Sequence, residues 1–283
     1  MQWQTSRFQI DLAQPRVMGI VNVTPDSFSD GGSFGSSRAA LDHCEQLVRD
    51  GAHILDIGGE SSRPGTPPVP LDEELARVLP VVKDAVRLGV PISVDTYKPE
   101  VMRAVLELGV DIVNDIRALR EPGAVDAVAR HAHCGVCLMH MHGEPQTMQR
   151  APMEGDAVPQ VLAFLRERTQ ALRERGVAGV RICWDAGIGF GKTVEQNFAL
   201  LARQRELLGD GFPLLAGWSR KSSLGTVSGE PPPRLVSSVA AALLAVERGA
   251  RIVRVHDVRE TVAALKVWAA AQSALDGHAG TKT

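Results

Sequence analysis

Eight short apolar runs, each closing on or just before a polar residue and separated by stretches of helical periodicity, constrain this chain more than any other feature of its sequence. The runs are VMGIVN (17–22), HILDIG (53–58), PISVD (91–95), DIVND (111–115), GVCLMH (135–140), VRICWD (180–185), PLLAG (213–217) and RIVRVH (251–256). Their length and β-branched content predict strands. Between them lie amphipathic segments such as LDEELARVLPVVKDAVRLG (71–89) and VLAFLRERTQALRERG (161–176), long enough to be the crossover helices that parallel strands require. Repeated βα units can close into a barrel or stay open as a doubly wound sheet. Eight of them in 283 residues, with no linker or compositional break, match the usual barrel size of about 250 residues. The sequence therefore predicts an α/β fold, a single (β/α)8 TIM barrel domain over 1–283. Residues 1–16 are expected to be a lead-in and 277–283 a disordered tail.

Barrel active sites lie at the C-terminal ends of the strands. Here those ends carry Asn22, Asp56, Asp95, Asn114 with Asp115, His140, Asp185, Ser219 with Lys221 just past the seventh run, and Arg254 with His256. Chance would place one or two such residues there as helix caps. A complete ring predicts a ligand rich in hydrogen-bonding groups. Asp56 and Asp115 are the members for which a structural role in satisfying loop backbone weighs most. Two loops, NVTPDSFSDGGSFGSS after the first run and GGESSRPGTPPVP after the second, are dense in Gly, Pro, Ser and Asp. Their turn chemistry marks them as long rim loops of the kind that close over substrate, with Asp26 and Arg63 bringing charge to the entrance.

Bulk charge narrows the function further. With 31 Lys and Arg against 33 Asp and Glu, the formal charge of -2 gives no reason to expect nucleic acid or an anionic membrane as partner. Any anion site must be local. The first residues show no apolar leader core, and no run reaches the roughly 18 apolar residues of a membrane span, so a cytoplasmic protein is expected. Cys44, Cys134, Cys137 and Cys183 are scattered, as reduced core residues would be.

Three motifs suggest other chemistry. AGIGFGKT (186–193) resembles a phosphate-cradling loop but has Ala186 where Gly is required. HAHCGVCLMHMH (131–142) spaces His and Cys like zinc ligands, yet on an extended strand Cys137 and His140 face opposite ways. Cys134-Gly-Val-Cys137 has redox spacing but enters a strand rather than a helix N-terminus.

The segments MGIVNVTPDSFSDGG (18–32), DIGGESSRPGT (56–66), SVDTYKPEV (93–101), NDI (114–116), LMHMHGEPQTMQ (138–149), DAGIGFGK (185–192), GWSRKSSLG (217–225) and RVHDV (254–258) run in order through nearly the whole chain. Together they resemble the bacterial dihydropteroate synthases of folate biosynthesis, the sulfonamide target family. The resemblance implies a transferase that joins 6-hydroxymethyl-7,8-dihydropterin diphosphate to 4-aminobenzoate, releases diphosphate, uses Mg²⁺ and forms a homodimer through late helices. It also implies dissociative loss of diphosphate before amine attack, with Asp95, Lys221 and Arg63 as catalytic residues. A flat pterin edge of N–H and amino donors beside a carbonyl would meet Asp95, Asn114, Asp185 and Lys221. Diphosphate would meet Ser62, Arg63, Arg254 and His256. The 4-aminobenzoate would lie against Phe28, Pro64 and Ser219, bordered by Lys221, and Asn22 would reach Mg²⁺ through its side-chain carbonyl.

Ser62, Ala186, Ile188 and Trp218 depart from the family pattern, which has Thr, Pro and Phe at the first three places and a smaller residue at the fourth. No insertion interrupts TYKPEV, so the resemblance implies sulfonamide sensitivity. Two other readings share the barrel and the pterin carboxylates. A pterin-binding methyltransferase module would have no use for the diphosphate residues or for NVTPDSFSDGG, and an inactive pterin-binding protein would not need the full reactive set.

Overall fold

A computed structural model describes residues 1–24, 32–63 and 65–279. Its first two strands, β1 (Gln2–Gln4) and β2 (Gln9–Asp11), form an antiparallel hairpin. The eight expected strands follow as β3 (Arg16–Asn22), β4 (Ile54–Gly58), β5 (Ile92–Asp95), β6 (Ile112–Asp115), β7 (Gly135–Met139), β8 (Ile182–Asp185), β9 (Leu214–Ala216) and β10 (Ile252–Val255). They close in the order β10-β3-β4-β5-β6-β7-β8-β9, every neighbouring pair parallel. Helices α1 (Gly32–Arg49), α2 (Leu71–Ala85), α3 (Pro99–Glu107), α4 (Ala124–Ala129), α5 (Ala157–Glu174), α6 (Val194–Ala202), α7 (Ser222–Ser228), α8 (Leu235–Glu247) and α9 (Val258–Ala279) complete the (β/α)8 barrel.

The period-two alternation of a strand sorts each run between helices and lumen. Val17, Leu55, Val94, Val113, Leu138, Trp184, Leu214 and Val253 pack outward against the helices. Met18, Ile54, Ile112, Cys137, Cys183, Leu215 and Ile252 fill the lumen as an apolar floor. Two residues further along their strands, the same inward face carries Asp56, Asn114, Asp185 and Arg254. The switch from apolar floor to polar rim is thus one step of the pleat.

Below the floor sits the hairpin, which the sequence reading passed over as a lead-in. Trp3 is fully buried with Ile10 and Leu12 against the lumen residues, and its indole N–H donates to the Arg181 carbonyl at 2.8 Å. Arg7 forks onto Asp111 through Nε at 3.1 Å and Nη2 at 2.5 Å. The expected tail at 277–283 begins inside α9, whose last described residue is Ala279, and residues 280–283 lie outside the described residues. Among the described residues no helix is long and apolar enough to cross a membrane.

Candidate active site at the barrel rim

The pleat divides the polar ring into two groups. Asn22, Asp56, Asp95, Asn114, Asp185, Arg254 and His256 share the inward register. Asp115 and His140 point out. Asp115 accepts the backbone N–H of Arg117 at 2.7 Å and of Leu119 at 2.8 Å, closing the turn after β6 in which Ala118 and Leu119 have positive φ. His140 packs edge-on against Phe164 of α5, its ring centroid 5.0 Å away, and its Nδ1 lies 3.0 Å from Lys192 Nζ.

Asp56 is completely buried and ties together partners from distant strands. Its Oδ2 accepts from Arg254 Nε at 2.6 Å and from Asn114 Nδ2 at 3.1 Å, while Oδ1 is buried without a partner. Arg254 Nη2 donates to Asp95 Oδ2 at 2.8 Å, so one guanidinium spans two carboxylates. Burial pushes the Asp95 carboxyl above the ordinary carboxylate range, with Arg254 opposing it and Asp56, Asp115 and Glu74 adding to it. Because Asn114 donates to Asp56, its amide oxygen is the atom left for a ligand.

Asp185 is pinned by its own loop. Its Oδ1 accepts from Gly187 N–H at 2.7 Å, and Oδ2 lies 3.9 Å from where a Cβ on Gly217 would stand. Burial raises its pKa, with the Gly187 N–H, Lys221, Arg254 and Lys192 opposing. The GIGFGK turn that resembled a phosphate loop is held from within. Lys192, almost wholly buried, donates to the carbonyls of Gly187 at 2.8 Å and Phe190 at 3.1 Å, and burial lowers it to about 7. Gly187 and Gly191 have positive φ and no room for a Cβ, which would stand 1.8 Å and 2.1 Å from the His140 and His142 carbonyl oxygens. Ala186 and Ile188 are buried in the outer core, so two departures from the family pattern are packing positions. Trp218 is another, fully packed with its ring centroid 5.3 Å from that of Phe198.

Past β9, Arg220 holds a positive φ of 60° and forks onto Asp257 at 3.2 and 2.7 Å. That pair joins the SRK segment to RVHD. On one side of Arg220, Ser219 Oγ accepts His256 N–H at 3.1 Å and lies 3.0 Å from His256 Nδ1. Burial, reinforced by Arg220, Arg254, Arg63 and Lys221, lowers His256 to about 3. A neutral ring in the tautomer whose Nδ1 accepts the Ser219 hydroxyl proton would carry its N–H on Nε2. On the other side, Lys221 Nζ lies 4.2 Å from the Phe190 ring centroid, and burial lowers it to about 8.

Ser62 faces a cleft shared with Glu60, Glu74, Asp95, Thr96, Tyr97 and Ile116, and Arg63 is exposed on the same loop. Asn22 ends β3 in register with Gly58. Phe28, Pro64 and Asp26 lie outside the described residues. The sequence reading weighted Asp56 toward a structural role and passed over Arg220, Asp257 and Phe190. The inward register of Asp56 was the available signal. Among the described residues, no group of three or more His, Cys, Asp or Glu is disposed to hold a metal. Cys137 and Cys183 face each other across β7 and β8 in the floor, as free thiols.

The family model described as pterin binding enzyme matches residues 18–256. The dihydropteroate synthase of Neisseria meningitidis serogroup B is 51% identical over 95% of this chain and 96% of its own length. The structure of the Burkholderia cenocepacia dihydropteroate synthase complexed with 7,8-dihydropteroate superposes with a TM-score of 0.90 at 53% identity, covering 98% of each chain. That of the Xanthomonas albilineans enzyme with 4-aminobenzoic acid gives 0.90 at 49% identity, over 96% of this chain and 99% of the other.

Proposed function

The chain belongs to the dihydropteroate synthases, within the pterin-binding enzymes, and from that premise we propose how its strand ends divide the work. The reaction joins a pterin-methyl diphosphate to 4-aminobenzoate. The observation that carries the division is the inward polar row one pleat above the apolar floor, in which two acceptors have fixed directions. Asn114 offers its amide oxygen because its NH2 is held by Asp56, and Asp185 offers Oδ2 because Oδ1 is held by Gly187. Two acceptors beside the Lys221 cation complement a pterin edge of N–H and amino donors next to a carbonyl.

Departure of the diphosphate leaves positive charge on the pterin methylene, and Asp95 at the same rim stabilises it. Arg254, bridging Asp95 and Asp56, opposes the burial that raises Asp95 and directs its remaining donors to the leaving group. His256 contributes Nε2–H from a neutral ring, and Ser62 and Arg63 contribute from the second loop. The uncharged amine of 4-aminobenzoate needs orientation more than a base, so Ser219, Phe28 and Pro64 serve as the walls of its subsite. Asn22, at the end of β3, would offer Mg²⁺ its side-chain carbonyl oxygen, a hard ligand of the kind that ion takes. When bound, the ion would neutralise leaving-group charge.

A homodimer, in a cytoplasmic protein of one barrel domain, is part of the same reading. Val227, Val236, Leu244 and Val267 on α7, α8 and α9 expose 63%, 75%, 43% and 73% of their surface, apolar area that a second copy would cover. Sedimentation at a monomer mass across micromolar concentrations would contradict it.

The test of the reaction is an assay with the pterin diphosphate, 4-aminobenzoate and Mg²⁺, detecting dihydropteroate. No product overturns the reading. The dissociative order is tested by ¹⁸O bridge-to-nonbridge scrambling in the diphosphate without 4-aminobenzoate, which direct displacement does not produce.

A further inference from the structure

Lys98 stands three residues past Asp95, with only 14% of its side chain exposed, and touches no group assigned above. Its ammonium donates to Glu60 Oε2 at 2.6 Å and to Glu74 Oε2. Both acceptors are out of place by ordinary rules. Glu74 lies in the first turn of α2, where an acidic residue normally faces solvent beside the helix N-terminus, yet it is 1% exposed and accepts the Thr96 hydroxyl at 2.7 Å. Glu60 accepts the Tyr97 hydroxyl at 3.0 Å and the backbone N–H of Val69 at 3.0 Å. That last bond joins the two ends of the second βα loop, and Arg77 adds a bond to the Gly59 carbonyl at 2.7 Å.

The base of the loop is therefore clamped ionically to α2 and to the turn after β5. Its tip is held loosely, by Gly65 N–H to Pro145 at 3.3 Å and Gln146 to Thr66 at 3.4 Å. Burial works against the charge on Lys98, but Glu60 and Glu74 together hold its pKa above the ordinary lysine value. Two buried carboxylates without this cation would separate or take up protons. Ser62 and Arg63 lie two and three residues from Glu60, so the clamp sets where they stand relative to Asp95.

We propose that Lys98 is a positioning residue: by bridging Glu60 and Glu74 it holds the second βα loop so that Ser62 and Arg63 meet the diphosphate of the substrate. The role rests on the diphosphate reading of that loop. The test combines hydrogen exchange of peptides spanning 60–70 with steady-state kinetics, in Lys98→Met, Lys98→Arg and, should Lys98→Met fail to fold, Glu60→Gln, which leaves the Lys98–Glu74 pair intact. Arg63→Ala is the kinetic reference.

The expected result for Lys98→Met is exchange faster by about tenfold or more and a KM for the pterin diphosphate raised by about tenfold. Affinity for the pterin alcohol should stay unchanged, and Lys98→Arg should recover most of the loss. Unchanged exchange in a folded variant overturns the clamp. Faster exchange with unchanged KM, while Arg63→Ala raises KM, overturns the positioning role. Unchanged KM in Arg63→Ala instead overturns the diphosphate reading of the loop, and the positioning role with it. Equal losses for pterin diphosphate and pterin alcohol show a general disturbance of the barrel and also refute the proposal.

Discussion

Replacing Asp185 by Asn preserves shape while changing what the side chain can accept, and the structure fixes which way the new amide must turn. Gly187 N–H points at Oδ1 from 2.7 Å, and its turn is immobilised by Lys192 on the Gly187 and Phe190 carbonyls. The amide therefore gives its oxygen to Gly187 and places its NH2 where Oδ2 stands beside Gly217. A pterin edge of N–H and amino donors then faces a donor. Loss of one charge-assisted hydrogen bond costs about 1.5–3 kcal/mol, and leaving a buried donor unpaired adds about 1–3 kcal/mol. A combined loss of about 2.5–6 kcal/mol corresponds to binding weaker by roughly two to four decades. Calorimetric titration with the pterin alcohol reads this directly, and thermal melting separates it from damage to the fold. An Asp185→Asn protein that melts like the parent and binds the pterin within about threefold of it would refute the assignment.

His256→Ala should weaken binding of the pterin diphosphate by about tenfold while leaving the pterin alcohol untouched, because the contact proposed for His256 is with phosphate alone; equal losses in paired titrations would contradict that placement. Gly187→Ala should cost at least about 3 kcal/mol in urea unfolding, since its Cβ meets a backbone carbonyl that cannot yield and the residue keeps φ at 66°; a cost under about 1 kcal/mol would show that the turn relaxes. His140 supplies a pH dependence. Burial, reinforced by Lys192, lowers it to about 3, so below pH 6.5 the unfolded chain takes a proton that the folded ring refuses. The stability advantage of the parent over His140→Gln should shrink as pH falls from 6.5 to 5, by up to about 1.4 kcal/mol per unit. The comparison with the variant is needed because Asp95 and Asp115, raised by burial, shift stability the opposite way. An advantage independent of pH would mean that the ring is not buried neutral.

What the sequence revealed and what it hid follow the range over which each feature is encoded. A strand of alternating inward and outward residues is a local pattern, so all eight barrel strands were legible, and with them the rim on which ligand groups had to lie. The hairpin was not. QWQ and QID are too short for a period to register, and Trp3 is explained only by a lumen assembled from residues between Met18 and Ile252. The same limit governs the site. Residue type and position along a strand placed Asp56, Asp95, Asn114 and Arg254 at one rim, but their partners are set by closure of the barrel. Arg254 meets Asp56 across 198 residues and Asp95 across 159. Read along the chain, Asp56 is one carboxylate among several at strand ends. Read across the lumen, it fixes the amide of Asn114 and half of the Arg254 guanidinium, so the direction in which two candidate ligand groups point depends on a residue that need not touch the ligand. A list of polar strand ends cannot separate residues that bind from residues that aim the binders, because that distinction exists only once β10 lies beside β3.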